Sequence, residues 1–291
     1  MVVWALLVCA IYSITGKNVY LQTVLLAVAT YLMVLLNNTF SLIRVFSRTV
    51  SSSFLMFSCL MIWLLDSTQG ALFQILFILH YLFLLACYQQ RDNAGFAYFA
   101  FACLSLCSLF MPKIILLAPF TIICLLTFLM CGSRKNLVAS LLGLLTPYWC
   151  WLAWALQQAG DMQSLTDHLL QMVSFTMPHP EQLFTTYHAI PLCILIISSI
   201  AAIFHFLYTY SADKFKTKML YGIFIMMMAC DAVMLICIPD QHDFIFRMMI
   251  VNASPLIGHM LTFATSRLST IIFCVVAPLL AILTLVMIWI F

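Results

Sequence analysis

The chain has 291 residues, of which 65% are apolar and only 7% charged, with a mean hydropathy of +1.13 and a formal net charge of +3. A soluble domain carries roughly a quarter charged residues, so this composition excludes a soluble α/β enzyme, a nucleic-acid-binding module and a disordered linker together. What remains is an integral membrane protein with the lipid bilayer as its solvent.

A helix crossing the ~30 Å hydrocarbon core needs about 20 apolar residues. Apolar runs of that kind recur along nearly the whole sequence, over Val2–Thr15, Val19–Leu36, Ser51–Leu65, Gly70–Tyr88, Ala94–Phe110, Pro112–Cys131, Leu137–Leu156, Ala189–Tyr208, Met219–Ile238, Phe246–Thr265 and Ser269–Ile290. The runs are continuous rather than alternating, which excludes a membrane β-barrel and leaves helices to satisfy the backbone in lipid. The expected fold is all-α: a single polytopic transmembrane bundle over residues 1–291 with about eleven spans. The first and third runs are short, so the count lies between nine and eleven. No basic stretch precedes the first run, which therefore reads as a retained span rather than a cleaved signal.

Lys and Arg are retained on the cytoplasmic side of membrane proteins. With eleven spans, Arg44, Arg48, Arg91, Arg134, Lys135, Lys214, Lys216, Lys218 and Arg267 share one face, and only Lys17, Lys113 and Arg247 lie at the other. Asp66, Asp161, Asp167, Glu181, Asp240 and Asp243 lean to that second face, and Asp92 and Asp213 to the first. The N-terminus is thereby expected in the cytoplasm and the C-terminus in the periplasm. Trp63, Trp149, Trp151, Trp154 and Trp289 fall near the outer ends of spans and Trp4 near the inner face, at the headgroup level that Trp prefers. The net charge follows from the retained basic loops and implies no nucleic-acid partner.

Two connections are longer than turns. In the cytoplasmic segment 37–50, Phe40, Ile43, Phe46 and Val50 recur at helical spacing while Arg44 and Arg48 stand at i, i+4. This pattern suits an interfacial helix with its arginines at phosphate level, anchoring to anionic lipid or gripping a lipid-linked phosphate through guanidinium forks. In the periplasmic segment 157–188, Ser164-Leu165-Thr166-Asp167 is similar to a capping box, and Leu165, Leu169, Leu170 and Val173 follow on one side. A short amphipathic helix ending before Pro178-His179-Pro180 is expected there, as a structural lip or a lid.

All twelve cysteines lie within or at the ends of apolar runs, with no Cys-x-x-Cys, and read as small packing residues. Cys103 and Cys107 share a helix face, but a metal site needs more ligands than these. His80, His205 and His259 fall at different depths, which argues against a shared metal. No metal and no cofactor is expected.

Charged groups at membrane depth are costly and mark functional candidates. Asp231 lies seven residues from the outer end of its run, about 10 Å deep at ~1.5 Å per residue, and Asn252 lies at nearly equal depth in the next, antiparallel run. The two are placed to meet, with Arg247 slightly above. Val251–His259 contains Pro255, which removes a backbone donor, and Gly258, which loosens packing. This stretch reads as a broken helix of the kind that binds substrates in some transporters, or as a simple kink. Pro119, Pro147, Pro191 and Pro278 also fall inside runs. Asp231, Asn252, Arg247 and His259 are the substrate- or ion-binding candidates, and Arg44 and Arg48 the phosphate or headgroup candidates.

Four stretches, Leu35-Leu36-Asn37-Asn38-Thr39-Phe40-Ser41-Leu42-Ile43-Arg44, Cys87-Tyr88-Gln89-Gln90, Leu141-Leu142-Gly143-Leu144-Leu145-Thr146-Pro147-Tyr148-Trp149 and Val251-Asn252-Ala253-Ser254-Pro255-Leu256-Ile257-Gly258-His259, together resemble an uncharacterised family of multi-spanning inner-membrane proteins of Bacteroidota. The resemblance implies a bacterial inner-membrane location and a multi-helix plan from about residue 20 to the C-terminus, and transfers no catalytic residue. Three functions fit the sequence. A non-catalytic component of a cell-envelope assembly or secretion complex, with other membrane proteins as partners, asks for the least unseen chemistry. An enzyme handling polyprenyl-linked glycans would use Arg44, Arg48 or the 157–188 segment, and a small-solute transporter would use Asp231, Asn252 and the stretch around Pro255.

A membrane-impermeant maleimide applied to intact cells tests the threading. It should label Gly160→Cys above the wild-type level and leave Phe215→Cys at that level. The reverse pattern removes the inside assignment of the basic loops.

Overall fold

The computed structural model describes residues 2–14, 20–45, 47–90, 93–157, 162–174, 186–210, 213–263, 280 and 282–287. Lys17, Phe46, Arg91, Asp92, Gly160, Asp161, Pro178-His179-Pro180, Glu181, Arg267, Cys274, Pro278, Trp289 and most of the run Ser269–Ile290 lie outside them. The described residues form helices and no strand. In chain order these are α1 (Val2–Ile14), α2 (Tyr20–Phe40), α3 (Thr49–Leu60), α4 (Thr68–Ala86), α5 (Ala94–Ser108), α6 (Ala118–Thr127), α7 (Arg134–Gln157), α8 (Met162–Val173), α9 (Thr186–Thr209), α10 (Phe215–Cys237) and α11 (His242–Phe263), with 3₁₀ segments at Ile62–Asp66, Pro112–Leu117 and Pro239–Gln241. Among the described residues, six helical segments are long and apolar enough to cross a membrane: Tyr20–Phe40, Thr68–Ala86, Arg134–Gln157, His188–Thr209, Phe215–Cys237 and Pro239–Phe263.

The bundle is built around α11. Every residue from Ile245 to His259 is buried, Arg247, Asn252, Ser254 and His259 included, and the helix packs against α3, α4, α9 and α10. Its spanning window is 83% buried, against 17% for that of α7, which places α7 at the periphery. Close approach of α3 is made possible by Gly258: a Cβ there would lie 2.9 Å from both Cα and N of Val50. Gly258 therefore tightens packing instead of loosening it, the use of small residues where helices meet in lipid. Gly143 has the same role between α7 and α5, since its Cβ would run into the carbonyl oxygen of Tyr98.

α11 is not broken. It continues through Pro255. The Ser53 hydroxyl of α3 lies 2.9 Å from Ser254 O, the Tyr221 hydroxyl of α10 donates to Pro255 O at 3.3 Å, and Thr49 Oγ1 of α3 donates to Gly258 O at 3.0 Å. These contacts fasten the turn that carries Pro255 to α3 and α10. Pro147 and Pro191 also sit inside continuous helices, whereas Pro119 stands at the start of α6.

Two of the expected runs are interrupted. Ser51–Leu65 becomes α3 followed by the 3₁₀ segment Ile62–Asp66, and Pro112–Cys131 becomes the 3₁₀ segment Pro112–Leu117 followed by α6.

Contacts sort the connections into two ends. At one, Tyr12 Oη donates to Asp66 Oδ1 at 2.7 Å, Gln22 Nε2 donates to Thr68 Oγ1 at 2.9 Å, and the Ser108 and Tyr148 hydroxyls are hydrogen-bonded. At the other, Gln89 N donates to Leu129 O at 2.9 Å, and Lys216 Nζ stands 6.0 Å from the Phe40 ring and 5.8 Å from the Tyr88 ring. Arg44, Arg48, Arg134, Lys135, Lys214, Lys216 and Lys218 belong to this basic end, and Asp66, Asp167, Asp240 and Asp243 to the acidic one.

The segment 37–50 forms no helix of its own. Its first residues complete α2, the chain turns at Ser41 with φ 50°, and α3 begins at Thr49. Asn37 Nδ2 spans the turn to Ser47 O at 3.0 Å, and Leu42 and Ile43 turn into the core instead of toward lipid. The expected amphipathic helix in 157–188 is present as α8, but it starts at Met162, so Ser164 lies within the first turn rather than capping it. Leu165 is buried while Leu169, Leu170 and Val173 are exposed. His168 packs against Trp151 with ring centroids 4.9 Å apart, and burial there holds its imidazole below the usual pKa.

Gly258→Ala and Gly143→Ala should each destabilise the fold by about 1–3 kcal/mol, the range of overpacking. Gly95→Ala, whose Cβ meets only Asn93 Oδ1 at 3.6 Å, should not. Thermal unfolding in detergent, read by tryptophan fluorescence, distinguishes the three.

Candidate functional site

Polar side chains on α11 make contacts at three levels. At the acidic end, Arg247 is 3% exposed. Its Nη1 donates to Gln74 Oε1 of α4 at 3.3 Å and its Nη2 donates to Leu64 O in the 3₁₀ segment. The guanidinium lies flat against Gly70, whose Cβ would stand 2.7 Å from Cζ. Arg247 thus ties the interrupted third run to the centre through neutral oxygens. Above it, the His188 ring is 4.6 Å from that of Trp63 and 5.8 Å from that of His242, whose Nε2 is 3.4 Å from Asp243 Oδ1.

At the middle level, Asn252 Nδ2 donates to Asp231 Oδ2 of α10 at 2.7 Å, and both residues are wholly buried. This is the meeting expected from their depths in consecutive antiparallel runs. Tyr81 of α4 faces the same pair, its hydroxyl beside the Asn252 amide. Asp231 Oδ1 and Asn252 Oδ1 are buried oxygens without a hydrogen-bond partner among the described residues. Buried polar groups are nearly always satisfied, and such a cluster is suited to take a proton, water or a small cation.

At the basic end, His259 Nε2 lies 3.1 Å from Asp213 Oδ2, donating to the carboxylate, with relative exposures of 1% and 8%. Aromatic rings enclose the imidazole: Phe263 at 4.7 Å, Tyr221 at 5.0 Å and Phe206 at 5.5 Å between centroids. The His205 ring is 6.1 Å from that of His259. Residue counting set these two histidines at different depths; their rings meet because α9 and α11 pack together at this end. His80 is apart from them, its Nδ1 donating to Ala100 O at 2.8 Å. The described residues include no group of three or more His, Cys, Asp and Glu able to hold a metal ion. The eleven described cysteines are free thiols.

Arg44 and Arg48 do not form a joint fork. Without the expected helix between them they diverge, Arg44 Cζ standing 6.0 Å from the Phe263 ring and Arg48 lining a pocket with Asn38 and Ser52. Sequence reasoning missed Gln74 and Tyr81. They stand seven residues apart on α4, and a glutamine in an otherwise apolar run was the available signal.

Asn252→Leu should cost about 1–3 kcal/mol by leaving the Asp231 carboxyl without its donor, whereas Asp231→Leu/Asn252→Leu should cost less than the sum of the single changes. Unfolding midpoints of the four proteins in one detergent test this; additivity would mean that the 2.7 Å contact carries no coupling. No family model matches the chain, and no curated protein or solved structure matches it.

Proposed function

We propose that the chain is a multi-pass protein of a bacterial inner membrane with about eleven crossings, its basic end cytoplasmic and its acidic end periplasmic, and that it moves a small solute coupled to a proton or cation. The six long apolar helical segments support the membrane location. The two-ended sorting of the loops supports the higher span count, with the N-terminus inside, segment 37–50 cytoplasmic and segment 157–188 periplasmic. The bacterial inner membrane is what the resemblance to the Bacteroidota family implies.

Transport is favoured over the envelope-assembly component by one observation: a wholly buried carboxyl–amide pair joining α10 to the central helix, whose Asp231 Oδ1 and Asn252 Oδ1 have no hydrogen-bond partner among the described residues. Ionisable groups at such depth serve ion and proton relays by default. His259–Asp213 toward the basic end and His242–Asp243 at the acidic end give ionisable groups on either side of that pair along the same helix. The polyprenyl-glycan enzyme reading loses its paired arginines, since Arg44 and Arg48 diverge.

Liposomes carrying the purified protein and an internal pH dye test the proposal under an imposed membrane potential, with a panel of amino acids, sugars and organic acids added outside. At least one solute should drive proton movement in the wild type, and Asp231→Asn should reduce that flux at least tenfold while eluting as a monodisperse protein. Wild-type flux in Asp231→Asn eliminates the reading.

A further inference from the structure

We infer that the cleft between α1 and α2 binds one chain of an anionic glycerophospholipid, with the lipid phosphate held at Arg48. This site is separate from the polar groups of α11 and does not rest on the transport reading. α1 and α2 both pack against α3, and between them an apolar cleft of about 240 Å³ opens, walled by Leu6 and Cys9 of α1 and Leu26 and Ala27 of α2 and floored by Leu55 of α3. A second pocket of about 290 Å³ continues it, sharing Val2, Thr30, Val34 and Leu55, and ends at Asn38, Arg48, Ser51 and Ser52. The only charged lining residue, Arg48, stands at that end, and Thr23, Thr30 and Tyr31 are the polar side chains elsewhere along the cleft.

From Asn38 to Thr23 along α2 the combined cleft runs about 22 Å at ~1.5 Å per residue, the order of one extended acyl chain. Charge complementarity identifies the occupant. Arg48 is exposed at the mouth, and no hydrogen bond or ion pair of its side chain is made among the described residues. A guanidinium at the polar end of an apolar cleft matches a phosphate diester whose tail lies along the cleft. The Ser52 hydroxyl and Asn38 amide offer further donors to the phosphate or glycerol oxygens, and Ser51, whose hydroxyl donates to Arg48 O at 3.0 Å, holds the backbone of the arginine in place. The basic end carries the cationic loops, so the headgroup comes from the same leaflet that those loops face.

Native mass spectrometry of the full chain, released from nanodiscs of equal parts phosphatidylglycerol and phosphatidylcholine, tests the site. The wild type should retain one phosphatidylglycerol in at least fivefold preference to phosphatidylcholine. Arg48→Gln should remove the preference, and Ala27→Trp, which fills the cleft, should remove the retained lipid while leaving the unfolding midpoint within a few degrees. Arg44→Gln should leave the preference intact. Equal retention of the two lipids by the wild type, an unchanged preference in Arg48→Gln, or retention of polyprenyl phosphate in place of phosphatidylglycerol when both are supplied would each overturn the inference.

Discussion

Withdrawing α11 from both water and lipid makes each unmatched polar atom on it costly, and the surrounding helices supply partners along its length while leaving Arg247 Nε, Asn252 Oδ1 and His259 Nδ1 without one among the described residues. The bilayer interior offers no compensating donors or acceptors, and an unmatched buried polar group costs several kcal/mol. α3 accordingly turns a face of Thr49, Val50 and Ser53 toward Ser254 and Gly258, short side chains that permit backbone approach and supply hydroxyl donors. α4 contributes Gln74 and leaves Gly70 bare beneath a guanidinium. α10 contributes Asp231 and Tyr221, and the start of the same strand of chain contributes Asp213.

The outer layer follows the opposite rule. α2, α7 and α9 present Val24, Tyr31, Leu141, Trp149, Ile197 and Phe204 outward, a disposition that only hydrocarbon tolerates in such quantity.

The sequence made the layers and much of the central pair legible, and the reasons differ. Apolar runs map directly to helices because burial in lipid needs no periodic pattern. Asp231 and Asn252 could be paired by arithmetic, since consecutive antiparallel helices keep depth in step. Where the reading failed, long-range geometry decided. The left-handed turn at Ser41 leaves no trace in a hydrophobic period, so a helix was read across 37–50 where α2 ends and α3 begins. Pro255 leaves α11 continuous, and the turn that carries it is fastened by hydroxyls from residues 34 to more than 200 positions away. Depth counting separated His205 from His259, which packing of α9 on α11 brings together. Gln74 meets Arg247 across 173 residues, a contact no local pattern announces.

The attachments of α11 are spread over its whole length and lead to different neighbours: the third run and α4 near its start, α10 at mid-height, α3 and the beginning of α10 near its finish. Screwing or sliding this helix by a single turn would strand all of these groups simultaneously, with Val50 striking whatever side chain replaced Gly258 at the contact. It therefore behaves as a fixed axle, and any alternation between conformers falls to the peripheral helices turning about it.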